Sequence, residues 1–200
     1  MPEAGIVVVG ASWGGLQALT TLVGALPAGF PLPTVFIQHR SRESTGALAQ
    51  LLQDASHLPV CEVEDKAPVV AGHVYVAPAD YHLLMDREHF SLSTDAPFRY
   101  SRPSIDVTFE SASLAYGAGT IGVVLTGANA DGSEGLRLIV NRKGTAVIQD
   151  PTSAESPTMP RAAVAAVPEA TVLRLEQIGS YLVKVASERT AKIARPGSRA

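Results

Sequence analysis

Apolar positions in this chain change period several times, and each change marks an element boundary. Gly5-Ile-Val-Val-Val-Gly10 is a β-branched run bounded by glycine, which predicts a strand. Over residues 15–26 the spacing turns helical, with Leu16, Leu19, Val23 and Leu26 on one predicted face. The unit recurs, with a strand predicted over residues 34–38 and a helix over 44–55 that Ser44 or Thr45 would cap. Two strand–helix units in succession predict a parallel sheet.

The middle of the chain breaks this rhythm. Short apolar runs at residues 60–63, 73–77, 82–85 and 90–93 have no helix of useful length between them, so they predict small strands and hairpins at one edge of the sheet. Beyond a polar loop at 97–103, the pattern predicts a helix over 104–116, a second strongly buried strand over 120–125 and a helix over 132–142. A strand at 145–148, a proline-bearing loop at 150–160 and a short helix at 161–167 follow, and segments 172–175 and 178–186 close the domain. No repeat or interdomain linker is visible.

Composition narrows the class. A chain of 200 residues, 46% apolar and 18% charged, can bury one sizeable core, and its 17 glycines and 14 prolines are scattered rather than pooled. A disordered chain and a membrane span are both disfavoured. The single cysteine, Cys61, excludes an internal disulfide framework and a zinc site built on several thiolates, and with no N-terminal signal it points to the reducing cytoplasm. The five histidines fall at no metal-binding spacing, so neither metal nor other cofactor is expected.

A formal net charge of −3 gives no reason to expect nucleic acid or insertion into a membrane. Lys184, Arg189, Lys192, Arg195 and Arg199 nevertheless face only Glu188 in the last 17 residues. Residues 186–200 therefore read as a basic, flexible tail after a domain of residues 1–185. Such a tail is either a solvated terminus or a weak dock for an acidic surface.

Three polar positions follow three predicted strands. Gly10-Ala-Ser12-Trp-Gly14 has the form G-x-S-x-G between a strand and a helix, the setting in which a sharp turn lifts a serine hydroxyl clear of the sheet. The helix N-terminus leaves amides free for a developing oxyanion, that of Trp13 nearest. Two other readings of the pentapeptide stay open, an anion or nucleotide cradle and a purely structural turn. Neither the dinucleotide fingerprint nor a P-loop is present, because Ser12 replaces the second glycine and no Gly-Lys-Ser/Thr follows. His39 lies at the end of the second strand and could serve as base, or it could be an ordinary structural histidine. Asp131, after the strand at 120–125, could orient that imidazole or merely cap the helix that follows. All three fall at the carboxyl edge of a parallel sheet, where open α/β folds keep their ligands.

With Gly10-Ala-Ser-Trp-Gly-Gly15, Gln38-His39, Tyr75-Val-Ala-Pro78, Arg102-Pro-Ser-Ile-Asp106, Leu125-Thr-Gly127, Asp131-Gly132 and Met159-Pro160 in matching order, the sequence resembles the catalytic domain of CheB-type protein-glutamate methylesterases over residues 5–182. The resemblance implies a three-layer α/β/α fold with a mostly parallel, doubly wound sheet. It implies a Ser12–His39–Asp131 triad, hydrolysis of γ-glutamyl methyl esters on the cytoplasmic region of chemoreceptor-like proteins, and deamidation of receptor glutamines. It also places Ala128 beside Trp13 as a border of the cleft and a second oxyanion donor. Arg102 is read either as a substrate contact or as half of a structural ion pair.

Two positions depart from the family pattern, which usually has methionine at Ala128 and a small residue such as threonine at Trp13. The chain begins at the first catalytic strand, which leaves a receiver-domain regulator to a separate chain. The alternatives are a stand-alone esterase for small esters and a non-catalytic signalling adaptor.

Overall fold

Alternate residues of the first strand enter two different cores. Val7, Val9 and Ala11 point into one and Ile6 and Val8 into the other, all fully buried. A strand can be apolar at every position only if helices cover both faces of its sheet, and that is the architecture here. The computed structural model of the chain describes residues 5–41 and 47–194. In order they form β1 (Ile6–Ala11), α1 (Gly15–Gly24), β2 (Thr34–Gln38), α2 (Ala47–Ala55), β3 (Val60–Glu62), β4 (Val74–Val76), β5 (His82–Met85) and β6 (Phe90–Ser93). The second half runs α3 (Ile105–Tyr116), β7 (Thr120–Val124), α4 (Ser133–Asn141), β8 (Thr145–Gln149), α5 (Thr158–Ala166), β9 (Thr171–Leu173) and α6 (Leu175–Ala194).

Seven strands form one sheet in the order β3-β4-β2-β1-β7-β8-β9, and every neighbouring pair is parallel. The chain builds outward from β1 through β2, then returns to β1's other side with β7, so the strand order reverses at the centre. Helices α1, α2 and α6 cover one face and α3, α4 and α5 the other. No helix among the described residues is long and apolar enough to cross a membrane.

The short central runs divide between two places. β3 and β4 extend the parallel sheet at its edge, whereas β5 and β6 form a separate antiparallel hairpin. The hairpin stays out of the main sheet because Leu83, Met85 and Phe90 are drawn into the second core. It is pinned to α3 by Thr108 Oγ1 donating to the Leu83 carbonyl (2.9 Å) and the Met85 amide donating to Ser111 Oγ (2.8 Å).

Three sequence expectations change. Leu16 is 47% exposed, and Leu22 takes its place on the buried face of α1. The expected loop at 150–160 already holds the start of α5, with Met159 and Pro160 buried. The expected flexible tail is helical through Ala194, because the Arg189 guanidinium donates to the Gly119 carbonyl (2.6 Å) and to Thr145 Oγ1 (2.8 Å) and ties the helix to the amino ends of β7 and β8. The proposed caps Ser44 and Thr45, and Arg195 and Arg199 of the tail, lie outside the described residues.

Arg189→Ala removes both of these bonds to partly buried acceptors. It is expected to lower the unfolding free energy by about 1–2 kcal/mol, read from urea denaturation. A change within ~0.3 kcal/mol would show that this end of α6 is not anchored.

Candidate active site

Ser12, His39 and Asp131 follow β1, β2 and β7, three adjacent strands at the centre of the sheet. The turn after β1 is closed by the Gly15 amide donating to the Ser12 carbonyl (2.8 Å), and the Ser12 amide donates to the Thr126 carbonyl (3.0 Å). Gly14 caps α1 in the left-handed region, at φ 75°, where a side chain is strained. Gly127 is required for a different reason. A Cβ there would fall on the Met159 sulphur and within 3.0 Å of Ser12 Cβ, so only glycine lets the β7 loop pass this close to the serine.

Gln38 joins the first two turns. Its Nε2 donates to the carbonyls of Ser12 (2.8 Å) and His39 (2.9 Å), while the His39 amide donates to the Ala11 carbonyl (3.0 Å). The imidazole is then held from both sides. Nε2 lies 2.8 Å from Asp131 Oδ2, and Nδ1 lies 3.2 Å from Asn129 Nδ2. Asn129 Oδ1 accepts the Asp131 amide (3.1 Å), which fixes the Asn129 carboxamide with its NH2 towards His39. An NH2 group only donates, so Nδ1 carries the lone pair and Nε2 carries the proton that faces Asp131.

Asp131 does not cap the helix that follows it in sequence. It caps α3. Oδ2 accepts the Ile105 amide (2.7 Å), and Oδ1 accepts the Asp106 amide (2.9 Å), Ser104 Oγ (3.0 Å) and the Gly132 amide (3.1 Å). Burial pushes this carboxyl up, but the His39 hydrogen bond and the Asp106 and Ile105 amides outweigh it, and the net shift is downward. The amino end of a helix supplies both free amides and a favourable dipole for such a charge.

Asp106 next to it goes the other way. Burial, then repulsion from Asp131, push it up to about 6 against the pull of the Gly135 amide and Arg99. Its Oδ1 accepts the Gly135 amide (2.7 Å), while Oδ2 is buried with no hydrogen-bond partner and lies 3.6 Å from Arg99 Nη1.

His39 borders two clefts. One, of about 750 Å³, is shared with Ser12, Trp13, Gln17 and Glu155. The other, of about 710 Å³, is lined by Arg40, Asp80, Tyr100 and Arg102. Trp13 is 67% exposed over the first cleft, and Ala128 is also exposed. Neither Trp13 nor Ala128 has an acceptor for its amide among the described residues. Arg102 is committed elsewhere: Nε and Nη2 donate to Asp80 Oδ1, and Nη1 donates to the carbonyls of Thr94 (2.8 Å) and Asp95 (2.9 Å). Among the described residues no three His, Cys, Asp or Glu side chains group as a metal site.

Three site residues escaped the sequence reading. Ser104 and Asn129 carry a readable signal, a helix-capping serine and an asparagine before a turn. Gln38 stands in the Gln38-His39 motif, but no role can be read from it there, since its partners are set by tertiary contact.

Residues 7–182 match the family described as CheB methylesterase. A Leptospira interrogans protein named putative protein-glutamate methylesterase/protein-glutamine glutaminase is 42% identical over 180 residues, 90% of this chain and 93% of that one. A Rhodospirillum rubrum protein named protein-glutamate methylesterase/protein-glutamine glutaminase 1 is 36% identical over 190 residues, 92% of this chain and 49% of that one. The crystal structure of the Thermotoga maritima CheB methylesterase catalytic domain superposes with a TM-score of 0.88 at 33% identity, covering 92% of this chain and 99% of that one.

The raised Asp106 has a thermodynamic signature. A carboxyl that holds its proton more tightly folded than unfolded contributes stability below its unfolded value near 3.8, and that contribution is lost as pH rises through about 6. Asp106→Asn keeps an acceptor for the Gly135 amide and carries no charge. Its melting temperature is expected to exceed the parent's at pH 8 and to match it at pH 4. Thermal melts showing a pH-independent difference would contradict this account of Asp106.

Proposed function

Because the chain belongs to the CheB methylesterase family, whose members are carboxylic ester hydrolases, we propose that it hydrolyses γ-glutamyl methyl esters on chemoreceptor-type proteins through an acyl-enzyme on Ser12. One observation carries this reading. His39 is hydrogen-bonded to Asp131 at 2.8 Å and lines the same cleft as a serine raised on a glycine turn at the amino end of a helix.

Ser12 Oγ attacks the γ-carbonyl carbon and its proton passes to Nδ1 of His39, the ring nitrogen that carries the lone pair. The imidazolium then donates to Asp131 through Nε2, and the amides on α3 keep Asp131 charged for that purpose. The amides of Trp13 and Ala128, which have no acceptor among the described residues, would receive the oxyanion. Collapse of the tetrahedral intermediate expels methoxide, which takes the proton from Nδ1 and leaves as methanol. Water then repeats the sequence and releases glutamate. A glutamine γ-carboxamide presents the same carbonyl with ammonia as the leaving group, which accommodates the paired activity in the relatives' names.

Among the described residues Ser12 Oγ makes no hydrogen bond to His39, and such contacts commonly tighten only when substrate is bound. Arg102 serves this site as a brace for the wall of the second cleft, its donors being used by Asp80 and two carbonyls.

Methanol release from a methylated receptor fragment tests the reading. Asp131→Asn is expected to reduce turnover by about four orders of magnitude and Ser12→Ala by about six, with circular dichroism matching the parent. Full activity in Ser12→Ala would remove the serine mechanism.

A further inference from the structure

Asn129 stands where a nucleophile's proton has to arrive. Its NH2 is 3.2 Å from His39 Nδ1, the lone pair that must accept the Ser12 proton if Ser12 is the nucleophile, as proposed above. The carboxamide cannot turn away freely, since its Oδ1 holds the Asp131 amide at 3.1 Å. We infer that Asn129 is a positioning residue that keeps the imidazole in its Nδ1-lone-pair form and holds it off Ser12 until substrate arrives. Loading the site is then an exchange at one lone pair, with the Asn129 N–H giving up its place to the Ser12 O–H.

Two features support this role. Asn129 bridges His39 and Asp131 and therefore touches both partners of the central hydrogen bond. It stands between Ala128, one of the two candidate oxyanion amides, and Asp131, so a substrate settling on that amide presses on the loop that carries the clamp. The charges facing His39 are Asp131 on Nε2, Arg40 beside it in sequence and itself paired with Glu62, Arg102 and Asp80 across one cleft, and Glu155 across the other. Among the described residues, Asn129 is the group hydrogen-bonded to Nδ1.

Two substitutions separate this role from a purely structural one, because both retain an oxygen for the Asp131 amide and so preserve the turn. Asn129→Ser removes the clamp. Asn129→Asp reverses it, since a carboxylate opposite Nδ1 draws a proton onto the nitrogen that should be free. The readout is the rate at which a fluorophosphonate labels Ser12 in the free enzyme. There the oxygen–phosphorus bond forms, fluoride leaves and the serine proton passes to Nδ1.

Asn129→Ser is expected to label about threefold to tenfold faster than the parent, the worth of one hydrogen bond. Asn129→Asp is expected to label at least about tenfold more slowly at pH 7, with the labelling profile displaced upward by about one pH unit. Equal effects of the two variants, or slower labelling by Asn129→Ser, would overturn the inference and reduce Asn129 to a turn residue. An inert Ser12 in the parent enzyme would instead overturn the acyl-enzyme reading on which the inference rests.

Discussion

Asp131 leaves the carboxyl end of β7 and sets its two oxygens against the first turn of α3, where Ser104 Oγ and the amides of Ile105, Asp106 and Gly132 meet them. A charge this deeply buried would lose its proton only at great cost in an apolar setting. Here the helix end replaces the water it has given up. Everything at the carboxyl edge of the sheet is arranged to deliver that contact: β7 brings the aspartate, the β5–β6 hairpin holds α3 in place, and His39 receives an ionised partner 92 residues along the chain.

The same helix end explains why two neighbouring acids behave oppositely. A single set of amides can neutralise one carboxylate, and Asp131 has the larger share of it. Asp106 is left with one amide, an arginine at 3.6 Å and an oxygen with no donor, so it retains its proton to a higher pH. Like charges placed this close separate their proton affinities in this way, with each acid's environment deciding which side it takes.

How much of this is visible in the residues themselves depends on the distance over which each feature is decided. β1, β2 and β7 are announced by their β-branched runs, Ser12 and His39 by their places directly after the first two, and Asp131 by its place in the loop between β7 and α4, because strand ends are local properties. The burial of α1 is less local. Leucines at 16, 19, 22 and 26 with Val23 offer two overlapping stripes, and only the sheet beneath selects the one that contains Leu22 and leaves Leu16 over the cleft. Gln38, Asn129 and Arg189 lie at the far end of this scale. None of them announces its partner in sequence, and each acquires its role from acceptors or donors brought to it by the fold. The basic residues near position 189 read as solvent-facing because charge is the local signal, whereas the carbonyl that captures Arg189 is 70 residues away.

Helix α6 lies along α1, with Ile178, Leu182 and Ala186 completing the core that also contains Val7, Val9 and Leu19. In the order of synthesis this lid on the first core is made after every other described element. Residues 5–41 form the serine turn and the imidazole early, but the side of the sheet that supports the serine helix remains exposed hydrocarbon until residues 178–186 emerge. This core is therefore completed by contact between segments far apart in the chain, residues 7–19 and 178–186. Parallel pairing among distant strands is intrinsically slow as well. The support beneath the serine turn thus depends on a contact that closes across almost the whole described chain.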